Sequence, residues 1–104
     1  MLKIYGLKNC DTCRKAIKAL DGAELVDVRV DGVSDAVLKA GYEKFGAAFA
    51  NTRSTTWRNL SDVEREKPVL ELLREHPALM KRPLIERDGV LYLGWGQDTQ
   101  AALM

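Results

Sequence analysis

One stretch, Asn9-Cys10-Asp11-Thr12-Cys13, constrains this chain more than any other. Before it, Leu2, Ile4 and Tyr5 read as a strand ending at Gly6. After it, Cys13, Ala16, Ile17 and Leu20 recur at i, i+3, i+4 and i+7, which is one face of a helix. Two periods meeting across a short polar loop mark a strand-to-helix junction. Cys10 falls at or just before the first helical turn, and Cys13 one turn further on. There the unpaired N–H groups and the positive end of the helix dipole favour a thiolate over a thiol. Lys8 and Arg14 add positive charge nearby, and Asp11 opposes them. The i, i+3 spacing also lets the two sulfurs reach one another without large backbone movement.

A chain of 104 residues has room for a single domain, expected to span 1–104. With 46% hydrophobic and 30% charged residues, an ordinary packed core is expected. A net charge of +1 gives no reason to expect bulk electrostatic attraction to nucleic acid or to a membrane surface. No stretch approaches the roughly 20 apolar residues of a membrane span, and the amino terminus lacks a signal-peptide apolar region. The expected location is therefore cytoplasmic. In that reducing compartment, two cysteines three apart point to redox chemistry or metal rather than to a structural bridge. Zinc is not expected, because a structural site takes four ligands and the chain offers two Cys and one distant His76. Buried cysteine as a small hydrophobe suits Cys13, which lies on the apolar stripe. It does not suit Cys10, which precedes the stripe in a polar loop.

Asp21-Gly22 ends the first strand-helix pair. Val26, Val28 and Val30 alternate with Asp27 and Arg29 and predict a second strand, closed by Asp31-Gly32. A helix between two strands makes a right-handed parallel βαβ unit the natural reading. Ser34 caps a further helix whose apolar stripe is Val37, Leu38, Ala40, Tyr42 and Phe45, and Ala47 to Ala50 add one more helical turn. Residues 51–58 are polar apart from Trp57. Ser61 and Glu64 have capping-box spacing, but Pro68 breaks a long helix begun there. The preferred reading is a short helix with Pro68 near its first position, Val69, Leu72 and Leu73 facing inward, and His76-Pro77 at its end. Leu84 to Glu86, the turn Arg87-Asp88-Gly89 and Val90 to Leu93 predict a β-hairpin, and Gln97 to Met104 a final short helix. The fold class is α/β, with a parallel unit beside an antiparallel hairpin in one mixed β-sheet.

A nucleophilic thiolate needs an electrophile, and arginine's planar fork suits an oxyanion. Arg53, Arg58 and Arg82 are the candidates, in a chain with 16 basic residues where a solvated surface charge is the ordinary role of any one of them. Arg82 stands out because the residue beside the hairpin's leading proline approaches the two cysteines in a thioredoxin-like arrangement. Pro83 is a candidate for a cis peptide bond, which about 5–6% of X-Pro bonds adopt. His76, at a helix end, suits a dipole partner better than a base. Trp57 and Trp95 suit packing better than a substrate groove. Ser54, Thr55 and Thr56 offer hydroxyls without a His or acid partner.

Ile4-Tyr5-Gly6 through Cys10-Asp11-Thr12-Cys13-Arg14-Lys15-Ala16, then Asn51-Thr52-Arg53 with Thr55-Thr56-Trp57-Arg58, then Lys81-Arg82-Pro83-Leu84 and Leu93-Gly94-Trp95, together form an ordered pattern across the chain. In that order and spacing they resemble the arsenate reductase-like family (the ArsC/Spx/YffB group), most closely its small YffB-type members. The resemblance implies a thioredoxin-like, glutaredoxin-type sheet with a helical insert, roughly residues 34–80, between the βαβ and ββα halves. It implies Cys10 as nucleophile, with Cys13 as a candidate resolving thiol. Arg82 matches the arginine of the family's Arg-Pro motif that helps bind the oxyanion; Arg53 falls near a second family arginine, and Arg14 follows the cysteine pair. It further implies glutathione as co-substrate and glutaredoxin as partner, with no bound cofactor and no metal.

Two departures separate this chain from true arsenate reductases. They carry a third oxyanion arginine where this chain reads Gly94-Trp95-Gly96, and they usually lack a cysteine at the position of Cys13. Missing a bidentate cationic partner argues against efficient arsenate turnover. The expected function is therefore a thiol-dependent reductase, glutathione-coupled, attacking a mixed disulfide or an oxyanion through Cys10. The alternative is a Spx-like regulator that binds RNA polymerase through a surface gated by a Cys10–Cys13 disulfide.

Overall fold

The computed structural model describes residues 2–104. In chain order the elements are β1 (Leu2–Gly6), α1 (Asp11–Ala19), β2 (Glu24–Asp27), α2 (Asp35–Phe45), α3 (Thr55–Arg58), α4 (Asp62–Arg65), α5 (Val69–Glu75), β3 (Leu84–Arg87), β4 (Val90–Leu93) and α6 (Gln97–Leu103). Short 3-10 turns occupy Gly46–Phe49 and Pro77–Leu79. The chain divides into two compact units: residues up to Gly32 together with Arg82–Met104, and the segment Val33–Lys81.

The first unit holds one mixed sheet of strand order β2-β1-β3-β4. β1 runs parallel to β2, with Tyr5 opposite Val26, and antiparallel to β3, with Ile4 opposite Ile85. β3 and β4 pair antiparallel, Ile85 opposite Tyr92. The core follows from that register. Ile4, Ile85, Ala16, Leu20 and Leu103 form one buried cluster, so α1 and α6 supply apolar faces to the central strands. Tyr92, Trp95, Leu25 and Ile17 pack around it. The hairpin turn places Asp88 at φ 49° and Gly89 at φ 85°, the paired positive angles that match the twist of a two-residue connection.

The second strand is shorter than the valine alternation predicts. β2 ends at Asp27, and Val30 is 79% exposed. Two causes act together. Its partner β1 ends at Gly6, whose carbonyl accepts the last bond, from Val28 N–H. The Asp27 carboxylate then accepts from the N–H groups of Arg29 and Val30, which folds the chain into a turn.

In the second unit Ser34 caps α2 through the Val37 N–H. The inward face of α2 is narrower than expected: Leu38 and Gly41 are buried, whereas Ala40 and Tyr42 are exposed. Gly46, at φ 62°, ends the helix in a conformation that glycine adopts without strain. The capping box at Ser61 and Glu64 does form, with both reciprocal bonds, but on a one-turn helix, α4. Pro68 then starts α5, which buries Leu72 and Leu73. The polar stretch 51–58 contains a further one-turn helix, α3, capped by Ser54. A bridge between Ala50 and Met80, flanked by Lys81 N–H to the Phe49 carbonyl and Asn51 N–H to the Leu79 carbonyl, ties the two ends of this segment together.

Gly41 is a steric requirement of this unit. A Cβ there would lie 2.5 Å from Cζ of Phe49, a ring with no exposed surface. Gly41→Ala is therefore expected to destabilise the protein by about 1–3 kcal/mol through overpacking, against the roughly 1 kcal/mol that alanine gains in a helix. Urea unfolding reads the sign; a raised midpoint would contradict the packing argument.

Candidate active site

α1 begins where β1 has run out of partners. After Gly6 the chain turns, with Cys10 N–H donating to the Leu7 carbonyl at 3.2 Å. Cys10 takes the N-cap position with extended backbone (φ −85°, ψ 119°), and its carbonyl accepts from Arg14 N–H at 2.9 Å. A serine or aspartate there would normally bond the first turn; the neutral Cys10 thiol makes no such bond. Its anion is another matter. Partial burial pushes the Cys10 thiol up, but the Cys13 N–H, the Cys13 thiol, the Arg82 charge and the Thr12 N–H together outweigh burial and bring it below its ordinary value.

Cys13 shifts the opposite way. It has no exposed surface. Burial pushes its thiol up to about 11, and the neighbouring Cys10 sulfur adds to the rise, while the Leu7 N–H and Arg82 act against it. The pair is thus one thiol poised to ionise and one held as a donor to it. Both are free cysteines.

Arg82 stands at the entrance to β3, before a cis peptide bond to the buried Pro83. The Pro83 carbonyl accepts from Gly94 N–H at 2.8 Å, which fixes this corner against the end of β4. The Arg82 guanidinium acts on both thiols. Its Nη1 is buried and has no hydrogen-bond partner among the described residues. A charged donor without an acceptor is costly to bury, so this nitrogen fits a site that takes an anion.

Cys10, Cys13 and Arg82 are therefore brought together in one unit. Arg14 lies on the same helix, exposed, with Nε donating to the Lys8 carbonyl at 2.8 Å and Nη1 3.9 Å from Asp11. Those contacts make it a strut between the cysteine loop and α1. Arg53 belongs to the second unit, where its N–H donates to Asn51 Oδ1 at 3.0 Å. With Asn51, Thr52 and Lys81 it lines a cavity of about 370 Å³. Lys81 had no distinguishing mark in the sequence beyond its place before Arg82. Arg58 sits on α3, where its carbonyl accepts from Arg65. Ser54 is spent on capping, and Trp57 carries the Arg65 guanidinium 5.5 Å from its ring. His76 lies 3.6 Å from Glu64 at the end of α5. A larger cavity of about 620 Å³, lined by Leu2, Leu20, Arg87 and Leu103 among others, includes neither cysteine nor Arg82. Among the described residues no cluster of three His, Cys, Asp or Glu side chains is placed to hold a metal ion, and no helix is long and apolar enough to cross a membrane.

Comparison with known proteins bears on the family and the fold. The ArsC family model matches residues 5–103. An uncharacterized protein of Haemophilus influenzae is 40% identical over 98% of this chain and 98% of its own length. Among solved structures, the YFFB protein superposes with a TM-score of 0.89 at 28% identity, covering 99% of this chain and 98% of that one. An arsenate reductase (ArsC) related protein from Brucella melitensis gives a TM-score of 0.71 at 30% identity, covering 97% and 92%.

The electrostatics set an expected outcome. Arg82→Gln removes a cation that favours the Cys10 anion, so the Cys10 midpoint should rise. At a pH below that midpoint, alkylation of Cys10 should slow accordingly. Iodoacetamide labelling across pH, read by peptide mass spectrometry, measures it; an unmoved midpoint would place Arg82 outside the site.

Proposed function

Because the chain belongs to the ArsC family, we propose that it is a thiol-dependent reductase in which the Cys10 thiolate is the nucleophile and glutathione the electron donor. The observation that carries the reading is the asymmetry of the site: an N-cap thiol lowered by backbone N–H groups and a cation, beside a guanidinium nitrogen without an acceptor. With a glutathione mixed disulfide, the Cys10 sulfur forms a bond to the glutathione sulfur and the substrate thiolate leaves. A second glutathione thiolate then attacks that sulfur, oxidised glutathione departs, and the Cys10 thiolate returns. The net exchange consumes one free glutathione, turning the mixed disulfide and that glutathione into the substrate thiol and oxidised glutathione.

With an oxyanion such as arsenate, the Cys10 sulfur bonds the central atom and one oxygen leaves as water. Attack by glutathione on the Cys10 sulfur then yields a Cys10–glutathione disulfide, and the central atom departs reduced by two electrons; glutaredoxin regenerates the thiolate. Arg82 holds the oxyanion in this scheme. Gly94-Trp95-Gly96 offers no cation, which is why the disulfide substrate is preferred over arsenate.

One further reading is a Spx-like regulator that binds RNA polymerase through a surface gated by a Cys10–Cys13 disulfide, for which the two neighbouring free thiols supply the sulfurs. Polymerase capture that switches with oxidation, in place of turnover, would distinguish it.

Two outcomes are expected in a coupled assay with glutathione and a glutathionylated peptide. Cys10→Ser should abolish turnover, because a serine hydroxyl is not ionised at neutral pH, whereas Cys13→Ser should retain it if glutathione alone resolves the intermediate. Turnover that survives Cys10→Ser would end the reductase reading. Arg82→Lys keeps the charge but loses the fork, and oxyanion affinity, read as inhibition by arsenate, should fall about ten-fold. Unchanged inhibition would remove Arg82 from the binding site.

A further inference from the structure

Gly6 closes β1, pairing with Asp27 in the parallel register. Its backbone is ordinary strand, not one of the positive-φ conformations that call for glycine elsewhere in the chain. A glycine in a strand normally weakens it, because nothing packs from that position. The reason for this one lies across the cysteine loop. A Cβ at Gly6 would collide with Sγ of Cys13 and stand 3.2 Å from its Cβ. Cys13 is fully buried, so its sulfur has no open space to retreat into.

We propose that Gly6 is a positioning residue for the cysteine pair: the side chain missing from β1 is the space in which the Cys13 sulfur sits, and that space keeps the second thiol against the first. This rests on Cys10 being the reactive thiol. Any larger residue at position 6 drives the Cys13 sulfur out of its place. The Cys13 thiol then no longer serves as a donor to the Cys10 anion, although both cysteines remain in the chain. The reactivity of Cys10 is therefore set in part by a residue that bears no functional group.

The test compares Gly6→Ala, Cys13→Ala and the double variant in the full chain. Cys10 ionisation is followed by iodoacetamide labelling across pH, and stability by thermal unfolding. Gly6→Ala should raise the Cys10 midpoint by roughly half a unit or more, as Cys13→Ala should, and the double variant should rise no further than either. Its melting temperature should recover relative to Gly6→Ala alone, because the sulfur that collides is gone. A folded Gly6→Ala with an unmoved midpoint would overturn the proposal, and so would midpoint shifts that add. If Gly6→Ala does not fold, the double variant decides: folding supports the sulfur collision, and failure to fold overturns it. Labelling needs no substrate, so a protein without reductase turnover could still bear out the role of Gly6, and an active one could still refute it.

Discussion

Two backbone N–H groups, those of Thr12 and Cys13, favour a negative charge at Cys10 only because α1 starts at Asp11. That start is itself a packing result. Cys13 and Ala16 are the helix's buried residues, and their burial fixes which turn comes first. The helix covers β1, one of the two inner strands of the sheet. β3 pairs with β1 so that Leu84 stands opposite Tyr5, which carries Arg82, two residues earlier, toward the end of β1 where the cysteine loop departs. One central strand thus sets the helix start, the loop and the arrival of the cation.

The two sulfurs illustrate how burial and partners divide a chemically identical pair. Both feel desolvation, which disfavours the anion. Cys10 has compensating N–H groups and the cation; Cys13 has a sulfur competing for the same charge. Electrostatically only one of them can be ionised first, and the fold decides which. In the proposed reaction that order matters, because the attacking thiol must be a thiolate while its neighbour stays protonated.

The parts of the fold legible in the sequence were those with a long enough period or a specific turn. The switch from alternation to i, i+3, i+4 spacing located β1, α1 and Cys10 at their junction, and Asp88-Gly89 marked the hairpin. Membership of the family was readable from motifs spread along the whole chain. The valines at 28 and 30 misled because alternation records side chains, whereas strand length is set by whether a partner strand is still alongside. α3 and α4 are single turns, too short to show any period. Ala40 and Tyr42 fall near the edge of the stripe on α2, and the width of a buried face is decided by what packs on it. The orphaned nitrogen of Arg82 and the space at Gly6 are three-dimensional facts, and no residue pattern announces them.

The unit that carries the cysteines is assembled from the two ends of the chain, with Val33–Lys81 between them. A closure over a segment this long costs little more than over one half its length, about 0.6 kcal/mol per doubling, so stability alone does not forbid the arrangement. Its effect is on timing. During synthesis the cysteine loop and α1 emerge early, beside β2, with one side of β1 still bare. The antiparallel neighbour and the guanidinium arrive only with Arg82 and the strands after it. A nascent or truncated polypeptide that stops short of Arg82 therefore displays the cysteine pair without the cation that favours its anion.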